Sequence, residues 1–193
     1  MPAAHSRPTA VPGEGPGPQR HGPSPLQFAI LGLLHDQPAH GYDLQRVFSL
    51  DGDLNGVVPV GQPALYAALK DLAARTLVVG VESRDGVRPP RTVYSLTPIG
   101  EHEFDEWSRT PVRRLRQVRL DFLLKVYFAR RRGERELRAL VDAQIKACHD
   151  YLSALEEQAG ALSPDDFAYL VVESRTSAAR STLNWLRDYR HRL

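Results

Sequence analysis

The sequence contains one cysteine, one methionine, little net charge and no long hydrophobic run. Because Cys148 is the only cysteine, an intrachain disulfide and a cysteine-rich zinc site are excluded. The formal charge of +2 does not by itself predict a nucleic-acid partner, which would need a local basic surface. No apolar stretch approaches the roughly 18 residues of a membrane span, and no hydrophobic leader is present. We therefore expect a cytoplasmic protein without a membrane partner.

The composition is otherwise that of a globular protein of one or two domains, with 193 residues, 42% of them apolar and 25% charged. Residues 1–25 are the exception, because they hold seven of the fifteen prolines and four of the fourteen glycines. Such a segment buries too little apolar surface to offset its ordering entropy, so it predicts a disordered tail. The remaining chain divides into residues 26–108 and 109–193.

The segment 26–108 changes from helical to strand-like periodicity along its length. The predicted elements are helices from Leu26 to Pro38, over 41–50 and from Pro63 to about Leu77, strands over 77–83 and 92–96, and a helix from Thr97-Pro98 to about Ser108. Thr97 is a good N-cap and Pro98 suits the first helical turn. This order predicts a winged helix-turn-helix.

Residues 109–193 have helical periodicity throughout. Helices are expected over 118–128 and 134–159, and Ser163-Pro164-Asp165-Asp166 is typical of a capped start of the last helix. A helical hairpin of this length exposes part of its apolar seam, so we expect a second copy of the chain to cover it. The predicted dimerisation residues are Leu137, Val141, Tyr151, Leu155, Phe167, Val171, Ala178 and Trp185. The predicted fold class is mainly α with a small β-hairpin, a winged helix-turn-helix followed by a long-helix dimerisation domain.

The third helix carries polar and small residues away from its Leu65, Leu69 and Leu72 stripe. The candidate DNA-binding residues there are Gln62, Pro63, Ala64, Tyr66 and Lys70. Gln62 could reach a base edge in the major groove, and Tyr66 and Lys70 could reach phosphates. The alternative is that this surface is only the solvated face of a helix.

The loop between the two predicted strands holds Arg84, Arg88 and Arg91 against one acidic residue, Asp85. Arginines on a protruding hairpin can lie along phosphates or enter a narrow minor groove. A solvated run of charges is the alternative. Residues 26–61 are acidic on balance, so any DNA contact must concentrate on the third helix and this hairpin.

Three segments resemble the signatures of PadR-type transcriptional regulators: residues 40–44 (HGYDL), 64–72 (ALYAALKDL) and 90–100 (PRTVYSLTPIG). Residues 123–128 and the long helices after them resemble the virulence-activator-like C-terminal domain of one branch. The resemblance implies a homodimer that binds an inverted repeat of double-stranded DNA, with Tyr42 and Tyr66 near the DNA backbone and Arg88 and Arg91 on the wing. Thr76 stands where the family usually has glycine, and Gln62-Pro63 replaces a small hydroxyl or glycine pair.

These observations predict a sequence-specific DNA-binding regulator, a ligand-responsive repressor that acts as a homodimer on a palindromic operator. The alternative is a winged-helix module that binds protein instead of DNA. Trp107 and Trp185 are candidates for stacking a small aromatic effector, or else for core packing. No residue pattern indicates an enzyme, a cofactor or a metal site. Cys148 is expected to be a buried helical cysteine, and the arginines at 113, 114, 116 and 119 either a solvated linker face or an additional DNA contact.

Overall fold

The computed structural model describes residues 22–83 and 91–193. The first half contains helices α1 (Pro25–Asp36), α2 (Gly41–Phe48), α3 (Gln62–Ala74) and α4 (Pro98–Arg109), and strands β1 (Ala39–His40), β2 (Val78–Ser83) and β3 (Arg91–Leu96). The second half contains α5 (Leu115–Gln117), a π-helical segment (Val118–Phe122), α6 (Leu123–Arg132), α7 (Glu134–Gly160) and α8 (Phe167–His191). The mainly helical fold with a small antiparallel sheet is as predicted. Most of the predicted tail, residues 1–21, lies outside the described residues.

Helix α1 is the central helix of the N-terminal half. Ser24 and Gln27 form a reciprocal cap, in which Ser24 Oγ accepts from the Gln27 amide at 3.3 Å and Gln27 Oε1 accepts from the Ser24 amide at 2.8 Å. Residues 27–34 are all buried, whereas the sequence pattern predicted a single apolar face. The helix is therefore enclosed by its neighbours rather than lying on the surface.

Helix α3 ends three residues earlier than predicted, because the chain reverses at Thr76. Thr76 has φ +57°, the Thr76 amide donates to Ala73, and the Leu77 amide donates to the Leu72 carbonyl at 2.9 Å. This is a Schellman cap with threonine in the position that normally favours glycine. The Thr97 hydroxyl donates to the Thr76 carbonyl at 2.7 Å and accepts from the Gly100 amide, so the N-cap of α4 also holds the end of α3.

The sheet has the strand order β1-β3-β2, and both pairings are antiparallel. The predicted hairpin is confirmed, with Val78 opposite Leu96 and Ser83 opposite Arg91. The two-residue strand β1 was not predicted, since two residues cannot show an alternating pattern. It pairs His40 with Val93 and thereby places the start of α2 beside the hairpin.

The buried residues of the N-terminal half form one core, to which α6 contributes Leu124 and Phe128. The Phe128 ring lies so close to Gly32 that a Cβ there would be 2.4 Å from it. The sequence-based boundary at residue 109 therefore does not separate two cores. Helix α6 follows that boundary in the chain but packs into the core that precedes it.

Helices α7 and α8 pack against each other as a long hairpin. Helix α8 begins at Phe167, and the residues before it form a turn in which the Asp166 amide donates to the Ser163 carbonyl. The predicted start of α8 at Ser163 is therefore wrong. No helix in the two described ranges is both long and apolar enough to cross a bilayer.

The predicted dimerisation residues separate into two groups. Leu137, Val141 and Leu155 are at most 5% exposed, because α7 packs them into the cores of its own chain. The prediction that these three contact a partner is therefore wrong, since no surface remains for one. Tyr151 and Val171 are half-buried, whereas Phe167, Ala178 and Trp185 are exposed on α8.

Candidate nucleic-acid interface

The first two turns of α3 present an exposed polar surface. Leu65, Leu69 and Leu72 are buried in the core, and this fixes which side of the helix faces outward. The predicted DNA-binding residues on α3 are all exposed: Gln62, Pro63, Ala64, Tyr66 and Lys70. The N-cap Gly61 offers no side-chain acceptor, so the first amides of α3 are left for solvent or an anion.

A groove of about 410 Å³ lies between α2, α3 and strand β3. It is lined by His40, Gly41, Tyr42, Asp43, Tyr66, Arg91, Thr92 and Tyr94. Tyr42 is 66% exposed and Tyr66 is 40% exposed. The fold thus brings Tyr42, Tyr66 and Arg91, which are far apart in sequence, to one surface.

Gly41 determines where the Tyr66 ring lies. A Cβ at Gly41 would be 2.9 Å from Tyr66 Cε1, so the ring packs directly on the glycine backbone. His40 Nδ1 lies 3.3 Å from the Thr92 carbonyl, which joins the start of α2 to the sheet. His40 and Thr92 were not predicted as site residues, and the only sequence signal for His40 was its place directly before the Gly-Tyr pair.

Of the three predicted wing arginines, Arg91 is the one that lies within the described residues. It is the first residue of β3, is exposed, and lies opposite Ser83 across the hairpin. Arg84 and Arg88, the other two predicted wing arginines, lie outside the described residues. Arg113, Arg114 and Arg119, in and after the segment that connects α4 to α5, are also exposed.

A second concave site lies between the N-terminal half and the C-terminal helices, with a volume of about 530 Å³. Its ionisable lining residues are His35, Asp105, Arg109, Lys125, Arg132, Arg135 and Glu136. Arg132 donates to Asp105 Oδ1 at 2.8 Å and to Ser108 Oγ at 3.0 Å. Arg109 of α4 also forms an ion pair with Asp105. Arg109 and Arg132 of α6 therefore share the Asp105 carboxylate.

Lys125 is part of the wall of this cavity and is only 4% exposed. Its Nζ donates to the Thr110 carbonyl at 2.5 Å and lies 4.8 Å from the centroid of the Trp107 ring. Burial lowers the pKa of Lys125 to about 8, and the nearby carboxylate of Asp121 opposes that shift. Burial in turn raises the pKa of Asp121.

Two family models match the two halves of the chain. The model described as the transcriptional regulator PadR-like family matches residues 30–106, and the virulence activator alpha C-terminal model matches residues 118–193. The chain belongs to the PadR-like family of transcriptional regulators. This membership makes the protein a regulator of transcription and not an enzyme.

Among known proteins, the negative transcriptional regulator PadR of Bacillus subtilis (strain 168) is 25% identical over 171 residues, which cover 83% of this chain and 93% of that protein. The crystal structure of Bacillus subtilis PadR in complex with operator DNA is 24% identical, with a TM-score of 0.45, and covers 92% of this chain and 100% of that chain. The complex of Bacillus subtilis PadR with p-coumaric acid is 23% identical, with a TM-score of 0.41, and covers 87% of this chain and 98% of that chain.

The two tryptophans of this PadR-like protein do not share a pocket. Trp107 stacks on Phe28 at a centroid distance of 4.5 Å and an interplanar angle of 7°. Trp185 is 38% exposed on α8 and contacts Phe122 and Tyr189. One ring therefore belongs to the N-terminal core, and the other lines a separate cavity of about 430 Å³ beside α8, so the stacking of an effector on either ring stays a prediction.

Cys148 is buried, as expected. Gln144 Nε2 lies 3.5 Å from its Sγ, and burial raises the pKa of the thiol, so little reactive thiolate forms. Within residues 22–83 and 91–193, no group of three or more His, Cys, Asp or Glu side chains is placed to hold a metal ion.

Proposed function

We propose that this PadR-like regulator binds a palindromic operator as a homodimer, represses transcription from it, and releases it when a small acidic ligand binds. The single observation that carries the DNA contact is the continuous exposed surface formed by the start of α3 and the groove beside it. This surface combines hydrogen-bonding groups with two exposed basic residues, Lys70 on α3 and Arg91 in the groove. Because the proposed partner is DNA, we propose that the protein acts in the cytoplasm.

The proposed contacts follow from the chemistry of each exposed side chain. Gln62, at the first turn of α3, suits a bidentate contact to a base edge in the major groove. Lys70 and the hydroxyl groups of Tyr42 and Tyr66 suit phosphate oxygens, which fix the position of the helix without reading sequence. Arg91, at the base of the wing, suits the backbone or the minor groove beside it.

The proposed dimer uses the apolar side chains of α8 that the chain itself leaves uncovered. Phe167 is 79% exposed, Leu170 is 56% exposed and Trp185 is 38% exposed. Exposed apolar residues of this size on one helix favour an interface, and a second copy is the partner that family membership supports. A twofold dimer presents two copies of α3, which requires two inverted half-sites.

The proposed effector site is the cavity between the N-terminal half and the C-terminal helices. Its lining contains four Lys or Arg residues and two Asp or Glu residues, so an anionic ligand is favoured. Such a ligand releases DNA only if it binds more tightly to a dimer conformation in which the two copies of the N-terminal half no longer fit the operator.

The experiment that tests DNA binding is selection of fragments of the source genome on the purified protein, followed by sequencing. The expected result is enrichment of an inverted repeat, with affinity that falls steeply between about 50 and about 200 mM salt. A Lys70→Ala, Arg91→Ala double variant should lose the fragments, and Arg175→Ala, which changes an exposed arginine on α8, should retain them. If the unsubstituted protein retains no fragment, the DNA proposal fails and a winged-helix module that binds protein is favoured.

Sedimentation velocity tests the dimer. Phe167→Lys with Leu170→Lys should convert the dimer to a monomer, because each lysine would bury an unpaired charge at the interface. Leu50→Lys is the matched control, since Leu50 is 88% exposed on the loop after α2. A dimer that survives the α8 double variant would remove α8 from the interface.

A further inference from the structure

The cavity of about 430 Å³ beside α8 lies between that helix and the segment that leads into α6. On α8 it is lined by Ser181, Thr182 and Trp185. Its other lining residues come from the stretch between the start of α5 and the start of α6: Leu115, Val118, Arg119 and Leu123. No described residue lines both this cavity and the 530 Å³ cavity proposed above for the effector, so the two are separate sites.

An exposed indole ring forms part of the apolar lining. Trp185 is 38% exposed, although its ring packs edge-on against Phe122 at a centroid distance of 6.1 Å and lies nearly parallel to the Tyr189 ring at 6.2 Å. These two neighbours fix the orientation of the indole. Aliphatic side chains line the cavity beside it: Leu115, Val118 and Leu123. A concave site with an aromatic ring and aliphatic walls is typical of binding sites for flat apolar groups.

Arg119 supplies positive charge to this cavity. Its side chain is exposed, and it forms no ion pair or hydrogen bond with any residue that the structure describes. Within the described ranges, no Asp or Glu lines the cavity. A guanidinium group without a counter-ion beside apolar walls favours a ligand that carries a carboxylate at one end.

The backbone beside the cavity is π-helical rather than α-helical. The π-helical segment Val118–Phe122 contributes Val118 and Arg119 to the lining, and its Phe122 ring packs edge-on against Trp185. Such π-helical turns are rare and occur frequently at functional sites. The same short segment therefore determines where both the cation and the aromatic ring of this cavity lie.

We propose that this cavity binds a planar carboxylate with two fused aromatic rings. The rings pack against Trp185, and the carboxylate pairs with Arg119. The hydroxyl group of Ser181, which has no hydrogen-bond partner among the described residues, donates to an oxygen of the ligand. A volume of about 430 Å³ is within the range of small-molecule sites and leaves room for more than one ring. Binding at this site does not depend on DNA, so it stands or fails separately from the proposed function.

A second copy of the chain need not cover this site. Between Phe167 and Trp185 the helix α8 rises about 27 Å, so the two side chains lie towards opposite ends of the helix. A ligand at Trp185 and a second copy at Phe167 can therefore be bound at the same time. Because the lining residues belong to one chain, a monomer should bind the ligand as tightly as a dimer does.

The test is an NMR titration of the whole nitrogen-15-labelled chain with 2-naphthoate, followed through the indole N–H signals of its two tryptophans. The Trp185→Phe variant identifies the signal of Trp185. We expect 2-naphthoate to shift this signal with a dissociation constant below about 1 mM and to leave the signal of Trp107, which is stacked on Phe28, in place. A Trp185 signal without a saturable shift would overturn the proposal.

Two arginine substitutions distinguish this site from the effector cavity. Arg119→Gln keeps a polar side chain but removes the charge, so it should weaken the binding of 2-naphthoate at least about fivefold. Arg135→Gln changes an exposed arginine of the 530 Å³ cavity, so it is the matched control and should leave the affinity unchanged. If Arg135→Gln weakens binding and Arg119→Gln does not, the ligand occupies the other cavity and the inference is wrong.

A neutral ligand tests the role of the charge. The amide 2-naphthamide has the same rings without a carboxylate, so it should bind the unsubstituted protein more weakly than 2-naphthoate does, and Arg119→Gln should not change its affinity. Equal binding of the two ligands to the unsubstituted protein would exclude the pairing with Arg119.

The Phe167→Lys, Leu170→Lys variant tests whether one chain is sufficient. It should bind 2-naphthoate as tightly as the unsubstituted protein, and loss of binding would show that a second copy completes the site, contrary to the inference. If the protein retains no genomic fragment but 2-naphthoate still shifts the Trp185 signal, the proposed function fails and the ligand site stands.

Discussion

Gln144 of α7 pairs through both polar atoms of its side-chain amide with the backbone of Val112. Its Oε1 accepts from the Val112 amide at 2.7 Å, and its Nε2 donates to the Val112 carbonyl at 2.8 Å. Gln144 is fully buried, and Val112 lies in the segment that connects α4 to α5. One side chain therefore supplies the hydrogen bonds that a neighbouring strand would give to this connecting segment.

Gln144→Met should destabilise the protein by about 2–4 kcal/mol, because it keeps the side-chain volume but leaves one buried donor and one buried acceptor without partners. Urea unfolding measures this loss. Gln158→Met, at an exposed position of the same helix, is the control and should change stability by less than about 0.5 kcal/mol. Equal effects of the two substitutions would show that the pairing with Val112 adds no stability.

Thr76→Gly should stabilise the protein by up to about 1 kcal/mol. Threonine at φ +57° bears a strain that glycine avoids, and this gain exceeds the added entropy of glycine in the unfolded chain. Ala73→Gly, at an exposed position in the last turn of α3, should instead destabilise by about 0.5–1 kcal/mol. Thermal unfolding should therefore show a higher midpoint for Thr76→Gly and a lower midpoint for Ala73→Gly. A lower midpoint for both variants would contradict the strain at Thr76.

Gly41→Ala should weaken operator binding by about tenfold and reduce stability by about 1–3 kcal/mol, because the new Cβ would displace the Tyr66 ring from its position beside the groove. Fluorescence anisotropy with labelled operator measures the affinity. Gly56→Ala is the matched control, since a Cβ there has no atom within 4 Å. Unchanged affinity of Gly41→Ala would mean that the position of Tyr66 does not matter for DNA.

Arg91→Ala should weaken binding to operator and random duplexes by similar factors, because a phosphate contact is lost. The slope of the logarithm of the binding constant against the logarithm of the salt concentration should become shallower by about one. Binding is measured across a salt series, with Arg175→Ala as the control on α8. In contrast, Gln62→Ala should reduce the preference for the operator more than the affinity for random DNA. A change of sequence preference in Arg91→Ala would instead assign that arginine to base recognition.

The stability of the protein should depend on pH through Lys125. Its pKa is lowered from 10.5 to about 8 in the fold, so between these values the unfolded chain holds a proton that the folded chain has lost, and stability rises with pH. Below about pH 8 the folded and unfolded chains both hold the proton, so the cost of the buried cation is constant there. The rise should amount to about 2–3 kcal/mol.

Comparison with Lys125→Met isolates this contribution. The raised pKa values of Tyr127 and Cys148 lower stability as pH increases, but they do so in both proteins and cancel in the difference. Urea unfolding near pH 7 and near pH 10 should therefore show a difference between the two proteins that changes by about 2–3 kcal/mol. A constant difference would mean that Lys125 titrates as an ordinary lysine.

The sequence was sufficient for the order of elements, because the change from helical to alternating periodicity is local. The N-cap Thr97 and the exposed face of α3 were also predictable, since the Leu65, Leu69 and Leu72 stripe shows which side is buried. The same reasoning failed on α7, where Leu137 and Val141 have the spacing of a coiled coil. Periodicity shows that a face is covered, but it does not show whether α8 or a second chain covers it.

The pairings between distant segments were not predictable. Neither the groove that joins Tyr42 to Arg91 nor the hydrogen bonds of Gln144 to Val112 leave a periodic signal in the sequence. Each depends on how two separate elements are placed, and a single sequence does not contain that information in local form.

The packing of Phe128 against Gly32 determines where the chain can be cut. A fragment that ends at Ser108 lacks Leu124 and Phe128 and would expose the apolar surface that these residues cover, so it should aggregate when expressed alone. Gly133, with φ +129°, ends α6, so an N-terminal fragment must extend at least to this residue to keep all of α6, including Leu124 and Phe128, in that core.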